Sequence, residues 1–365
     1  MSIEHSINIP AHHNIYTNEL KRNLRIDFSI PQNGVNQNTG LLVFVPGFNG
    51  SIDSNIYIKM RKIFADKYNM ITMQCAYFGY QFMQSFDSFN TFNSPIMQRF
   101  FTTNELEKIN EDSNCLEEIL FKKKIKPPVI PVHANIDESI EEFNDMSYMQ
   151  AIDIITTIEA VKLILSKENL VFNSNRIIGY GQSHGAYLLY LCNRLVPNLF
   201  SLIVDNSAYI EPNYLTSNRF LYKKIEKSTL IIEYDYLAKK IVKNKNDVNL
   251  DLLYKDFSTN TQVLSFHGNE DKLVDYIEKE QFVKTTIKKS DFILIKKEDI
   301  DNVKYKSNSH GLGADFLELY SFASELEHPI KDKITRPVKY EIDFEGVFIR
   351  ADYKDGLPIF DFKFK

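Results

Sequence analysis

Short apolar runs that stop abruptly at small or polar residues recur along this chain. Residues 41–45 (Leu-Leu-Val-Phe-Val) run into Pro46-Gly47-Phe48-Asn49-Gly50, residues 70–76 into Tyr77-Phe78-Gly79, and residues 176–180 into Gly181. Residues 202–204 end at Asp205-Asn206, residues 263–266 end at His267-Gly268, and residues 291–295 form a further run. None alternates with polar residues. Continuous runs of this kind, rich in β-branched residues, are the pattern of strands buried on both faces of a parallel sheet. Between them lie helical patterns. Ala151, Ile154, Ile155, Ile158, Val161 and Leu165 fall on one helical face, and Ser147 with Gln150 reads as a capping box at its start. Residues 186–195 and 275–288 also read as helices. Strands alternating with helices predict an α/β protein, with a mostly parallel central sheet and helices on both faces. The run at 24–30 adds antiparallel edge strands.

Two stretches interrupt the alternation. Residues 81–144 hold a predicted helix at 105–121 and a Pro-rich loop at 126–131, and residues 211–261 read as polar and helical. Long insertions in a compact domain are commonly lids or functional loops. The tail, 338–365, reads as a β-hairpin: strand 340–350, a turn at Asp355-Gly356, and strand 359–364. The expected organisation is therefore an α/β domain over 1–337, with cap segments inserted at about 81–144 and 211–261, followed by a C-terminal hairpin over 338–365. No internal repeat is present, and the lysine cluster at 122–126 reads as a solvated face.

Composition narrows the function classes. The chain has 365 residues, 44% hydrophobic and 25% charged, enough apolar material for a large core. A net charge of -5 leaves no electrostatic footprint for nucleic acid. The start, MSIEHSINIP, lacks the basic and apolar regions of a secretory leader, and no apolar run reaches the roughly 18 residues that a spanning helix needs. The cysteines Cys75, Cys115 and Cys192 are scattered and odd in number, which suits a reducing cytoplasm. A cytoplasmic protein without a membrane span or nucleic-acid partner is expected. The sequence fixes no oligomeric state.

The chemistry concentrates at Gly181-Gln182-Ser183-His184-Gly185, which matches G-x-S-x-G. A buried strand precedes it and a helix follows, the setting of a nucleophile elbow. The chain reverses sharply at the serine, so residues two before and two after must be small. The alternative is a chance match in a loop. A dinucleotide fingerprint beginning at Gly179 is rejected, because its third glycine would fall where His184 stands.

A serine hydroxyl needs a base to take its proton. In the chain order serine, acid, histidine, His267 and His310 are candidates beyond the elbow. His310 sits in Ser309-His310-Gly311-Leu312-Gly313, after the last apolar strand, and is the expected base. His267, at a strand end, reads as a residue that shapes its loop. Asp271, four residues after His267 in His267-Gly268-Asn269-Glu270-Asp271, is the expected acid. Asp205 is the alternative, and Glu270 and Asp275 are neighbours. Two backbone N–H groups are needed for an oxyanion: that of His184, and that of Phe48 in the turn after residues 41–45. An ordinary strand-ending turn would produce the same Pro-Gly. Tyr77, Phe78 and Tyr80 are candidates to line the substrate pocket, with packed core as the bland alternative.

Taken together, P-G-F-N-G, G-Q-S-H-G, H-G-N-E-D and S-H-G-L-G resemble the motifs of the α/β-hydrolase superfamily over about 41–326. The acid loop is similar to those of prolyl-oligopeptidase-like and esterase-like members. Pro46 stands where many members carry histidine before the oxyanion glycine. More narrowly, P-G-F-N-G, C-A-Y-F-G-Y-Q-F-M and G-Q-S-H-G-A-Y-L-L-Y-L-C-N are similar to an uncharacterised bacterial family of α/β-hydrolase-like proteins, which implies the fold and leaves the substrate open. The expected activity is serine hydrolysis of a small-molecule carboxylic ester through an acyl-enzyme, with no metal or organic cofactor. The alternatives are a peptidase, an acyltransferase and a non-catalytic accessory protein that kept the fold.

Overall fold

A computed structural model describes residues 1–85, 88–91, 95–123, 129–225, 228–329, 338–353 and 356–365. Residues 124–128, which span the end of the lysine cluster and the start of the Pro-rich loop, and Asp355 of the tail's turn lie outside the described residues.

In chain order the strands are β1 (Ile3–Pro10), β2 (Asn23–Ile30), β3 (Gly40–Val45), β4 (Met70–Cys75), β5 (Phe89–Thr91), β6 (Val129–Ala134), β7 (Ile177–Gln182), β8 (Leu202–Asn206), β9 (Arg219–Ile225), β10 (Ser228–Tyr234), β11 (Gln262–Gly268), β12 (Ser290–Ile295), β13 (Lys339–Asp343), β14 (Val347–Asp352) and β15 (Ile359–Phe364). Eight of them form one sheet in the order β1-β2-β4-β3-β7-β8-β11-β12. The pairs β1–β2 and β2–β4 are antiparallel, and the rest are parallel. The non-alternating runs are the central strands: every residue of β3, β4, β8 and β11 is buried. Leu42, Phe44, Tyr180, Leu264 and Phe266 meet Phe64 and Tyr320 of two flanking helices, Asn55–Tyr68 and Phe316–Glu325, on one side of this sheet.

On the other side run the helices Tyr148–Lys167 and His184–Leu195. The first is buried at every position from Tyr148 to Val161, far beyond the single stripe its spacing predicts. The tail supplies the extra cover: Phe362 packs on Tyr148, and Gly356 lies against Leu163. The tail is an antiparallel ladder of three strands, because a turn at 344–346 divides the predicted first strand into β13 and β14.

Three local expectations need correction. Ser147 makes no cap hydrogen bond. Asp145 takes the role, since its Oδ2 accepts from the Met149 N–H at 2.8 Å and from Ser147 Oγ at 3.1 Å, and a carboxylate is the stronger acceptor. The predicted helix at 105–121 is two helices, Thr103–Glu111 and Cys115–Lys123. Between them Asp112 accepts from the Asn114 N–H in a side-chain turn that competes with the helix. Residues 211–261 are not mainly helical. β9 and β10 pair antiparallel there, and β10 buries alternate residues, the period of a half-buried strand.

The chain divides into two compact units. The first comprises residues 1–81, 145–212 and 244–365, and carries the eight-stranded sheet and the tail. The second comprises residues 82–144 and 213–243 and is built on a four-stranded sheet, β5-β6-β10-β9. Among the described residues no helix is long and apolar enough to cross a membrane.

Candidate active site

The elbow follows from the packing of β7 against the helix it enters. Ser183 lies between them at φ 54° and ψ -123°, a region that non-glycine residues avoid. Holding it there costs about 1–3 kcal/mol, which the surrounding packing must offset. Space around it excludes side chains: a Cβ on Gly181 would lie 2.4 Å from Ala186 Cα, and one on Gly185 would lie 2.0 Å from the Val45 carbonyl oxygen. The Ser183 N–H donates to the Asn206 carbonyl at 2.7 Å, which ties the bend to the end of β8.

His310 arrives on a loop in which Gly311, Leu312 and Gly313 all have positive φ. Leu312 is fully buried and anchors the loop in the core. His310 Nε2 lies 2.7 Å from Ser183 Oγ, and its Nδ1 lies 2.7 Å from Asp271 Oδ2. This geometry suits a neutral ring that accepts from the serine O–H and donates from Nδ1–H to the carboxylate. The imidazole is one-fifth exposed and stacks on Tyr209, with centroids 5.6 Å apart and planes 15° apart.

Asp271 is completely buried as a side chain. Its Oδ1 accepts from the N–H groups of Leu273 at 2.8 Å and Val274 at 3.2 Å. Burial alone would raise its pKa, but the hydrogen bond and charge of His310, the Leu273 N–H and the charge of His267 outweigh it. The carboxyl is therefore held below its usual range. His267 is buried and its pKa is lowered by that burial. Its Nε2 donates to the Val274 carbonyl at 3.2 Å and lies 3.4 Å from Asp271 Oδ2, so it braces the acid's loop. Asp205 sits elsewhere, in a buried cluster with Lys279 at 2.9 Å, Tyr190 at 2.8 Å and Ser265 at 2.9 Å.

The turn after β3 abuts the serine, since a Cβ on Gly47 would lie 3.0 Å from Ser183 Cβ. Phe48 follows, with its ring 5.4 Å from that of His184. His184 opens its helix, so its N–H has no intrahelical acceptor. Its side chain is buried, and burial lowers its pKa to about 3, so the ring is neutral. The Nε2–H donates to Gln150 Oε1 at 2.7 Å, and Gln150 Nε2 in turn donates to the Phe78 carbonyl at 3.1 Å.

Of the aromatic pocket candidates, Tyr77 is buried and its hydroxyl donates to the Pro46 carbonyl at 3.1 Å, which supports the turn before Phe48. Phe78 is fully buried, with its N–H on Asp153 Oδ2 at 2.8 Å. Tyr80 is half-buried and its ring lies edge-on to Tyr77. Sequence reasoning passed over Gln150, Tyr209 and the pair Asn206-Ser207. Gln150 reads as a helix cap from sequence, and no motif marks the others. Among the described residues no group of three or more His, Cys, Asp or Glu side chains is placed to hold a metal ion.

An eight-stranded sheet in this order, antiparallel at one edge only, with a strained serine between its central strand and the next helix, is the α/β-hydrolase fold. The chain belongs to the family described as "Protein of unknown function (DUF2920)", whose profile matches residues 6–236. A comparison with curated proteins gives no match. Among solved structures it is distantly similar to Est1E from Butyrivibrio proteoclasticus with ferulic acid bound, at 14% identity and a TM-score of 0.44, covering 83% of this chain and 93% of that one. It is also similar to Thermogutta terrifontis esterase 2 phosphonylated by sarin, at 11% identity and a TM-score of 0.45, covering 87% of this chain and 93% of that one.

Proposed function

We propose that this protein is a serine hydrolase that cleaves a small-molecule carboxylic ester by two-step acyl transfer. Ser183 attacks the carbonyl carbon while His310 Nε2 takes its proton. The oxyanion lies against the N–H groups of His184 and Phe48, and Asp271 holds the imidazolium that forms. The tetrahedral intermediate collapses, His310 returns the proton to the departing alcohol, and the acyl group stays on Ser183 Oγ. Water, deprotonated by His310, then attacks the acyl-enzyme and releases the acid. The observation that carries the reading is the bridging imidazole, 2.7 Å from Ser183 Oγ on one side and 2.7 Å from Asp271 on the other. Hydrogen-bond reach between nucleophile and base, with the base oriented by a third group, is the requirement of this chemistry.

The segments 82–144 and 213–243 leave the sheet after β4 and β8. We assign substrate selection to them, since inserted loops commonly carry it. Parallel assays on p-nitrophenyl acyl esters and aminoacyl anilides test the reading. Turnover of esters by the wild type, abolished in Ser183→Ala, is expected. Faster turnover of anilides would make the protein a peptidase, and turnover of neither would favour an accessory role.

A further inference from the structure

The last residue of β8 and those just past it reach both the serine and the histidine loop. The backbone carbonyl of Asn206 accepts from the Ser183 N–H at 2.7 Å. Its side-chain Nδ2 donates to the Gly311 carbonyl at 3.2 Å. Ser207 Oγ accepts from the Gly311 N–H at 3.0 Å and donates to Asn206 Oδ1 at 3.2 Å. Two adjacent side chains therefore hold the N–H and the C=O of the residue that follows His310, while the backbone of one of them fixes the serine. Tyr209, two residues on, stacks on the imidazole.

This pair is itself anchored. The Ser207 N–H donates to the Phe266 carbonyl at 3.0 Å. Asp205 Oδ1 accepts from the Ala208 N–H at 2.7 Å, and its Oδ2 is held by Lys279, Tyr190 and Ser265. Asn206 and Ser207 are both fully buried, so no water competes for their hydrogen bonds. Ser207 also has φ 61°, a conformation in which glycine or asparagine is more comfortable than serine. What serine supplies there is the hydroxyl.

We propose that Asn206 and Ser207 are positioning residues that set His310 against Ser183 by clamping Gly311. The proposal rests on the acyl-transfer reading and extends it to two side chains that touch no reacting atom. Without the clamp the Gly311 N–H loses its acceptor and the Gly311 carbonyl keeps only the Ala314 N–H, at 3.2 Å, so the imidazole loses its fixed distance from the hydroxyl. Proton transfer suffers, while substrate binding, which the clamp does not touch, is spared.

The test uses the full chain as wild type, Ser207→Gly and Asn206→Ala. Steady-state kinetics on one p-nitrophenyl ester are measured beside the melting temperature and the rate of Ser183 phosphonylation by a fluorophosphonate. Ser207→Gly is the decisive variant, because it removes the hydroxyl with the rest of the side chain while glycine suits the positive φ. The expected result is kcat and the phosphonylation rate falling together by roughly 10- to 100-fold, as for a misplaced catalytic group, with KM and melting temperature near those of the wild type. Wild-type kcat in Ser207→Gly overturns the clamp, and so does a rise in KM with kcat unchanged. If the wild type itself is not phosphonylated at Ser183, the acyl-transfer reading fails and the clamp's role fails with it. A labelled wild type beside unaffected variants overturns the clamp alone.

Discussion

Gly268 and Asn308 are packed so closely that a Cβ on the glycine would lie 2.1 Å from the asparagine's carbonyl oxygen. The contact joins the loop that carries Asp271 to the loop that carries His310. Two further bonds cross at the same place: the Glu270 N–H donates to the Asn308 carbonyl at 3.0 Å, and Asn308 Nδ2 donates to Asn269 Oδ1 at 2.8 Å. The acid and the base are thus held together by backbone as well as by their own hydrogen bond.

Gly268→Ala therefore has to push the two loops apart, because the obstructing atom is backbone. The expected outcome is a folded protein whose kcat is lower by roughly 10- to 100-fold, since displacement of about 1 Å at a catalytic group has that effect. Ester kinetics beside a melting curve check it. An unchanged kcat would mean that the contact between the loops does not govern the placement of the imidazole.

Asp271→Asn leaves the shape of the acid loop nearly intact and removes the negative charge that faces His310 Nδ1. The imidazole then loses the partner that fixes its tautomer and stabilises its protonated form. A fall in kcat on the order of 10⁴-fold is expected, with little change in KM, measured with the same ester. A loss of less than tenfold would move the acid's role elsewhere, with Asp205 the next candidate to substitute.

Acid should abolish the proposed ester turnover through one group. A general base must be unprotonated to accept the proton on Ser183. Asp271 does not join that titration: burial pushes its pKa up, but the His310 contact and the Leu273 N–H prevail and hold it below the ordinary carboxylate range. A plot of log kcat/KM against pH should fall on the acid side with a slope of one. A slope of two would show a second essential proton, and a flat profile from acid to neutral pH would remove His310 as base.

Stability should carry its own pH signature from His12. Its Nε2 accepts from the Phe360 N–H at 2.8 Å, which fastens β15 to the N-terminal segment. Burial, aided by the charge of neighbouring His13, lowers its pKa from 6.5 to about 4. Between those values the unfolded chain binds the proton and the folded one does not, so stability falls as the pH falls from 6.5 towards 4. The contribution is about 3 kcal/mol across that interval. Chemical unfolding of the wild type and His12→Gln at several pH values measures it. The wild type should lose stability more steeply than the variant, and parallel curves would contradict the assignment.

The central strands were legible because burial on both faces leaves an unbroken apolar run, as in 41–45 and 263–266, each closed by a glycine-containing turn. The meeting of Ser183, Asp271 and His310 was legible for the same reason: each follows a recognisable strand, and chain order limited the pairing. β9 and β10 were not: the consecutive Lys223 and Lys224 put charge on both faces of β9, and the unbroken Leu230-Ile231-Ile232 of β10 hides the two-residue period. The Asn206-Ser207 clamp left no pattern at all. Its partners are a backbone N–H and a backbone C=O about a hundred residues away, and backbone groups carry no sequence signal. Asp145 displaced Ser147 as the cap through a local competition for one N–H, which composition does not decide.

The most direct measurement is fluorophosphonate labelling of the native protein, with the modified residue located by peptide mass spectrometry. Activation of the serine by a bridging imidazole predicts an adduct on Ser183 in the wild type that disappears in His310→Ala. A wild type that takes up no probe while folded, or a His310→Ala protein labelled as fast as the wild type, would contradict it.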